Sequence, residues 1–143
     1  HDAIADRPDD MLIGMHMGRG NFRSTHAAEG AYDLAAEAIF DTGVDIFFME
    51  YDTPRAGDFG PLRHMPADKS VVLGLISTKE ANLESQDDLL RRINEASRYV
   101  PVENLAISPQ CGFASTAPGN LLTQDEQRRK LELVVETARR VWG

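Results

Sequence analysis

The chain alternates short apolar runs with longer stretches of mixed character. Runs at residues 11–17, 44–50, 70–77 and 105–108 have the length and composition of β-strands. The run VDIFFME at 44–50 is apolar almost throughout, which is typical of a strand covered on both faces. We therefore predict four strands, with residues 21–25 as a loop and residues 51–69 as a long loop containing three prolines.

Apolar residues at helical spacing connect and follow these strands. Residues 27–41 predict a helix with Gly43 near its C-terminal cap. Ser85 and Thr123 are predicted N-caps, and Thr123 with Glu126 matches a capping box. The last helix is expected to bury one side, and the Phe47-Phe48 pair and Trp142 are expected in the core. That side consists of Leu131, Val134, Val135, Ala138, Val141 and Trp142.

Strands that alternate with helices indicate an α/β fold with a parallel sheet and right-handed crossovers. The pattern contains four β/α units in 143 residues. A (β/α)₈ barrel takes about 250 residues and eight units. Four units would be half a barrel, and the periodicity alone leaves open whether the sheet is open or closed.

Charge and composition exclude several classes of protein. Fifteen basic and twenty-three acidic residues give a net charge of −8, which argues against a nucleic-acid-binding surface. No apolar run approaches the ~20 residues of a membrane helix. Cys111 is the single cysteine, so an internal disulfide is impossible. We expect a reducing compartment and a cytoplasmic protein.

Three side chains with metal-ligand chemistry come at or just after the ends of different strands. They are His16, Glu50 and Cys111. In parallel sheets, functional groups gather at the C-terminal edge. Imidazole, carboxylate and thiolate suit zinc, and three protein ligands leave one position for a substrate thiol. The alternative is that Cys111 is a small buried apolar residue and Glu50 an ordinary loop residue.

Three segments carry a resemblance to a known family. They are HMGRGNF at 16–22, FMEYD at 48–52 and LAISPQCGF at 105–113. The chain resembles cobalamin-independent methionine synthase, in particular its shorter relatives, over the second half of the catalytic barrel. The resemblance implies that residues 1–143 are a single partial domain, the C-terminal half of a TIM (β/α)₈ barrel.

The resemblance also implies a function. Members of the family transfer a methyl group from a methyltetrahydrofolate to homocysteine, using a catalytic zinc. Carried over to this chain, the zinc ligands would be His16, Glu50 and Cys111. A related zinc-dependent enzyme that alkylates a thiol from another donor is an alternative. A non-catalytic half-barrel with a degraded metal site is another.

Gly18 departs from the family pattern, in which a second cysteine stands at this position. Residues i and i+2 of a strand point the same way, so residue 18 should face the site with His16. Three interpretations remain: three protein ligands plus water, an engineered or variant position, or a chain that has left the family's chemistry.

Further residues are assigned from the resemblance or from charge. In long family members a histidine near this position serves in proton transfer to the folate, and Lys79 is the candidate for that role here. Arg19, Asn21 and Asp52 are candidates to bind substrate, and Arg19 and Asn21 could hold a substrate carboxylate. The alternative for all four is an ordinary loop role in solvent.

A half-barrel also implies a partner. Its two outer strands would have unpaired edges, which favour aggregation. We therefore expect the missing N-terminal half of the barrel, in the same protein or as a separate chain, or another copy of this chain. Small-molecule substrates are expected, and nucleic acid and membrane are not.

Overall fold

A computed structural model describes residues 2–18, 21–22, 25–26, 33–51, 58–114 and 119–143. Six strands occur in it: β1 (Gly14–Met17), β2 (Asn21–Phe22), β3 (Thr25–His26), β4 (Ile46–Glu50), β5 (Ser70–Ile76) and β6 (Leu105–Pro109). Strands β1, β4, β5 and β6 form one parallel sheet in that order. The four predicted sheet strands are therefore confirmed, and neighbours in the sheet follow one another along the chain as in a (β/α) barrel.

Strand β1 begins at Gly14 rather than at residue 11. The residues before Gly14 are held by hydrogen bonds to a side chain and not by regular strand pairing. The N–H of Ile13 donates to the Asp45 carboxylate at 2.9 Å instead of to a neighbouring strand. Arg7 donates to the same carboxylate. This cluster fastens the segment before β1 to the start of β4.

Three helices accompany the sheet: α1 (Asp33–Phe40), α2 (Gln86–Ala96) and α3 (Gln124–Trp142). The predicted start of the first helix, residues 27–32, lies outside the described residues. Ser85 caps α2 as predicted, and its hydroxyl accepts from the N–H of Asp88 at 3.5 Å. The capping box of α3 is confirmed, because Thr123 and Glu126 each bond the other's backbone N–H.

Two predicted loops contain regular structure. Within residues 21–25, the prediction of a loop is wrong for the paired strands β2 and β3. Within residues 51–69, a 3₁₀ helix spans Gly60–His64 and buries Leu62. Both elements are too short to produce a periodic pattern, which is why the sequence did not predict them.

The two faces of the sheet differ in how well they are covered. On β4, Phe47 and Met49 are buried on the helix-covered face, where the Phe47 ring meets Phe40 edge-on at 5.0 Å. Phe48 points to the opposite face and remains 38% exposed. The prediction that both phenylalanines belong to the core is therefore wrong for Phe48, because adjacent strand residues face opposite ways.

The predicted buried side of helix α3 is confirmed for Val134, Ala138, Val141 and Trp142, which pack against the core, and is wrong for Leu131 and Val135. Its buried residues are Lys130, Leu133 and Thr137, whereas Leu131 and Val135 are exposed. Trp142 is partly buried against the core, and its indole N–H donates to the carbonyl of Val102 at 2.8 Å. The helix carries apolar residues on two adjacent stripes, and periodicity does not say which one the sheet covers.

Among the described residues, no helix combines the length and the apolar character needed to cross a membrane.

Candidate metal centre

The three predicted ligands come together at the C-terminal edge of the sheet. His16 lies on β1, Glu50 ends β4, and Cys111 follows β6. One ligand atom from each lies within 4.8 Å of the other two. The His16 Nε2 is 3.4 Å from Glu50 Oε1, and the Cys111 thiol is hydrogen-bonded to the same oxygen.

The Glu50 carboxylate is the centre of this cluster. Its side chain is only 3% exposed, whereas the His16 side chain is 47% exposed. A buried carboxylate is costly unless charged or polar partners compensate it, and here an imidazole, a thiol and a carboxamide surround it. The cluster is therefore a polar site open on the His16 side, not a packed core.

The donor set fits a zinc ion. With zinc–ligand bonds of about 2.0–2.3 Å in a tetrahedron, two ligand atoms lie about 3.3–3.8 Å apart. The 3.4 Å separation of His16 Nε2 and Glu50 Oε1 is in this range, whereas the Cys111 sulfur lies closer than this to the same oxygen. Nitrogen, oxygen and sulfur donors from three different strands are the set that zinc accepts, and they leave a fourth position for another ligand.

Gly18 faces this cluster, as the strand alternation predicted. A Cβ placed on Gly18 would lie 3.6 Å from His16 Cε1 and 3.8 Å from Glu50 Oε1. These are ordinary van der Waals distances, so a small side chain at residue 18 would contact His16 and Glu50 without displacing them. Because glycine has no side chain, this position supplies no donor.

Gln110 is a site residue that the sequence reasoning missed. Its Nε2 donates to Glu50 Oε2 at 3.1 Å, and its backbone N–H donates to the carbonyl of Ile76 at 2.9 Å. The only available signal was its place beside Cys111 in the loop after β6. Polar neighbours of a ligand are common in loops, so this signal does not single out a residue.

The other candidate residues are less closely placed. Lys79 follows β5, is exposed, and its N–H donates to the Ser77 hydroxyl at 3.3 Å. Asn21 pairs with His26 through the backbone of β2 and β3. Arg19 and Asp52 lie outside the described residues. The substrate-binding and proton-transfer roles of these residues remain predictions.

Two polar bridges hold the loops that carry the site. The Asn120 side chain donates to the carbonyls of Thr78 and Gly112, at 2.9 and 3.3 Å, and so joins the loops after β5 and β6. The buried Lys130 ammonium binds the Glu84 carboxylate at 3.1 Å, and Glu84 accepts from the N–H of Ser77 at 2.8 Å. The Cys111 loop and the Lys79 loop are thus tied to each other and to α3.

The fold and the site define an α/β protein that presents a cluster of three residues with metal-ligand chemistry at the C-terminal edge of a parallel sheet. A family model described as the catalytic domain of cobalamin-independent synthase matches residues 21–140. The chain therefore belongs to this family, as the resemblance predicted.

Individual relatives agree with this assignment. The chain is 56% identical to the uncharacterized Bacillus subtilis protein YxjG, over 99% of this chain and 38% of YxjG. It is 24% identical, over 83% of its length, to the 5-methyltetrahydropteroyltriglutamate–homocysteine methyltransferase of Bacillus licheniformis, covering 15% of that protein.

A solved structure from Listeria monocytogenes, provisionally assigned as a vitamin-B12-independent methionine synthase, matches 99% of this chain. The TM-score is 0.71 and the sequence identity 35%. The match covers 38% of that protein, and the four parallel strands correspond to a half-barrel portion of it. The predicted half-barrel fold is confirmed.

Proposed function

We propose that this chain is the zinc-binding half of an enzyme that transfers a methyl group from 5-methyltetrahydrofolate to homocysteine, producing methionine. The observation that carries the proposal is the convergence of His16, Glu50 and Cys111 from three separate strands. Family membership and the name of the Bacillus licheniformis relative support the choice of reaction.

Each residue has a definite part in this proposal. His16, Glu50 and Cys111 hold the metal, and the exposed side of His16 leaves room for the homocysteine sulfur. Bound zinc would keep that sulfur as a thiolate at neutral pH, which makes it a nucleophile. Lys79 would move a proton at the folate, and Arg19, Asn21 and Asp52 would bind the substrates, Arg19 and Asn21 through a substrate carboxylate.

We further propose that residues 1–143 form one partial domain whose open sheet face is covered by the other half of a barrel. Phe48 is 38% exposed on that face, and the outer edges of β1 and β6 have no strand partner among the described residues. The chain spans 38% of the length of YxjG. A cytoplasmic location is part of the proposal, since a reducing compartment keeps Cys111 a thiol.

The test measures zinc content and methyl transfer in the complete natural protein that contains this sequence. After dialysis, one zinc per chain and homocysteine-dependent consumption of methyltetrahydrofolate are expected. Stoichiometric zinc with turnover only from another alkyl donor would assign the chain to a related thiol alkyltransferase. Absence of any thiol-dependent turnover would overturn the enzyme proposal.

One observation favours a second candidate, a non-catalytic half-barrel. Residue 18 faces the cluster and contributes no donor, so one thiolate of the family pattern is absent. Under this alternative the dialysed protein retains no zinc. Zinc stoichiometry therefore discriminates between the two candidates before any substrate is added.

A further inference from the structure

We propose that Gln110 is a positioning residue whose hydrogen bond to Glu50 leaves only one oxygen of that carboxylate to bind a metal. The absence of a side chain at Gly74 allows Gln110 to come close enough to make this bond. The inference rests on the zinc site proposed above. It concerns how the chain orients one carboxylate, which neither the family assignment nor the relatives' names address.

The two oxygens of Glu50 have different partners. Oε1 faces the other ligands, with His16 Nε2 at 3.4 Å and the Cys111 thiol in hydrogen-bond contact. Oε2 accepts a hydrogen bond from Gln110 Nε2 at 3.1 Å. A carboxylate whose second oxygen is held in this way presents a single oxygen to a metal, and hydrogen bonds to ligating carboxylates orient them.

The orientation of the Gln110 carboxamide is determined by Glu50. The carboxylate accepts only, so the NH₂ group must face it. The opposite oxygen, Gln110 Oε1, is buried and has no hydrogen-bond partner among the described residues. A buried unpaired oxygen is costly. The flipped amide would place two oxygens against each other, so the contact with Glu50 outweighs this cost.

Gln110 reaches Glu50 by passing over an intervening strand. Glu50 ends β4 and Gln110 follows β6, with β5 between them. The β5 residue paired with Glu50 is Gly74. A Cβ there would lie 3.4 Å from the Cα of Gln110 and 3.1 Å from the carbonyl oxygen of Met49. Any side chain at residue 74 would therefore push Gln110 away from the end of β4, which carries Glu50.

The experiment compares Gln110→Leu and Gln110→Met with wild type in the complete natural protein. Both variants remove the donor to Oε2, and the Met variant keeps the length and unbranched shape of the side chain. Gln124→Met is the matched control, since Gln124 is exposed at the start of α3. Zinc dissociation constants are measured by competition with a chelator, and thermal melting verifies that each variant is folded.

We expect both Gln110 variants to bind zinc about 10–100-fold more weakly, and the control to match wild type. Substitution with Co²⁺ gives a second measurement that a structural defect elsewhere would not change. With Oε2 released, Glu50 can bind through both oxygens, which raises the coordination number and weakens the visible d–d bands while the thiolate charge-transfer band persists.

Wild-type zinc affinity together with an unchanged cobalt spectrum in Gln110→Met would overturn this inference alone. A wild-type protein that takes up no zinc would overturn the proposed zinc site and this inference together. The two failures are thus distinguished by the wild-type measurement.

Discussion

Gly18 and Glu50 face each other across neighbouring strands, and a Cβ at residue 18 would lie 3.8 Å from Glu50 Oε1. Residue 18 therefore lies beside the proposed ligands but has no side-chain atom that could bind a metal. This relationship yields the first prediction.

Gly18→Cys should complete a tetrahedral shell with His16, Glu50 and Cys111. A fourth protein ligand and its negative charge should raise zinc affinity by at least about tenfold, the lower end of what losing an outer-shell partner costs. A chelator-competition titration measures the change.

Gly18→Ala is the control for Gly18→Cys, because it adds the same Cβ without a thiol. Equal zinc affinity in wild type and Gly18→Cys would show that residue 18 does not join the site. Unchanged binding in Cys111→Ala would show that the three ligands do not bind the metal together.

Gly74→Ala should damage both stability and the site. The added Cβ would be 3.1 Å from the Met49 carbonyl oxygen and within 3.5 Å of the Cα atoms of Glu50 and Gln110. Backbone atoms yield little, so overpacking of about 1–3 kcal/mol is expected in urea unfolding. Gly18→Ala, whose Cβ has only ordinary contacts, should change stability much less. Equal effects of the two substitutions would contradict the close approach at Gly74.

Lys130→Met should destabilise the protein by leaving the Glu84 carboxylate without its cation. The ammonium is fully buried and bonds both oxygens of Glu84, at 3.1 and 3.2 Å. Removing one partner of a buried pair costs about 3–5 kcal/mol, and the 22% exposure of Glu84 places the expected loss at or below the lower end.

The double variant Lys130→Met with Glu84→Gln should recover part of the stability lost in Lys130→Met, because no charge is then left unpaired. Urea unfolding of the two single variants and the double variant gives the coupling. Strictly additive losses would mean that the two residues do not interact.

The protein should lose stability in acid as the Asp45 carboxylate becomes protonated. The N–H of Ile13 and then the Arg7 guanidinium hold the pKa of Asp45 below its usual value of 3.8. A lowered folded-state pKa means that the stabilisation is complete above the unfolded-state value and disappears as pH falls through the folded-state value. Asp45→Asn should therefore lower the melting temperature at pH 7 and reduce its decline below about pH 4.

Asp68→Asn is the control for Asp45, since the Asp68 side chain is 76% exposed and forms an ion pair with the adjacent Lys69 at 3.6 Å. Identical melting profiles of the two variants between pH 2 and pH 7 would refute the role of Asp45.

Phe48 should promote self-association of the isolated 143-residue chain. It is a large apolar side chain on the sheet face that the described helices do not cover. Phe48→Ser should shift sedimentation toward the 15.8 kDa monomer. Leu121→Ser is the control, because Leu121 is fully exposed in the loop before α3. A wild-type chain that is monodisperse at 15.8 kDa and unfolds cooperatively would contradict the proposed partner half.

The sequence by itself determined the four strands of the parallel sheet, the caps of α2 and α3, and the choice of the three proposed ligands. Continuous apolar runs and capping pairs such as Thr123 with Glu126 act over a few residues, so their outcome is readable locally. His16, Glu50 and Cys111 could be predicted to meet because parallel strands bring their C-terminal ends to one edge.

Only the tertiary structure decided which surfaces meet. In the structure, Phe48 points away from the buried core. Helix α3 buries Lys130, Leu133 and Thr137, whereas Leu131 and Val135 are exposed. The tertiary structure also brought Gln110 over Gly74 onto Glu50, a contact between strands that are not neighbours. Such contacts depend on side-chain direction and on close backbone approach across the sheet, and no local pattern of residues encodes either.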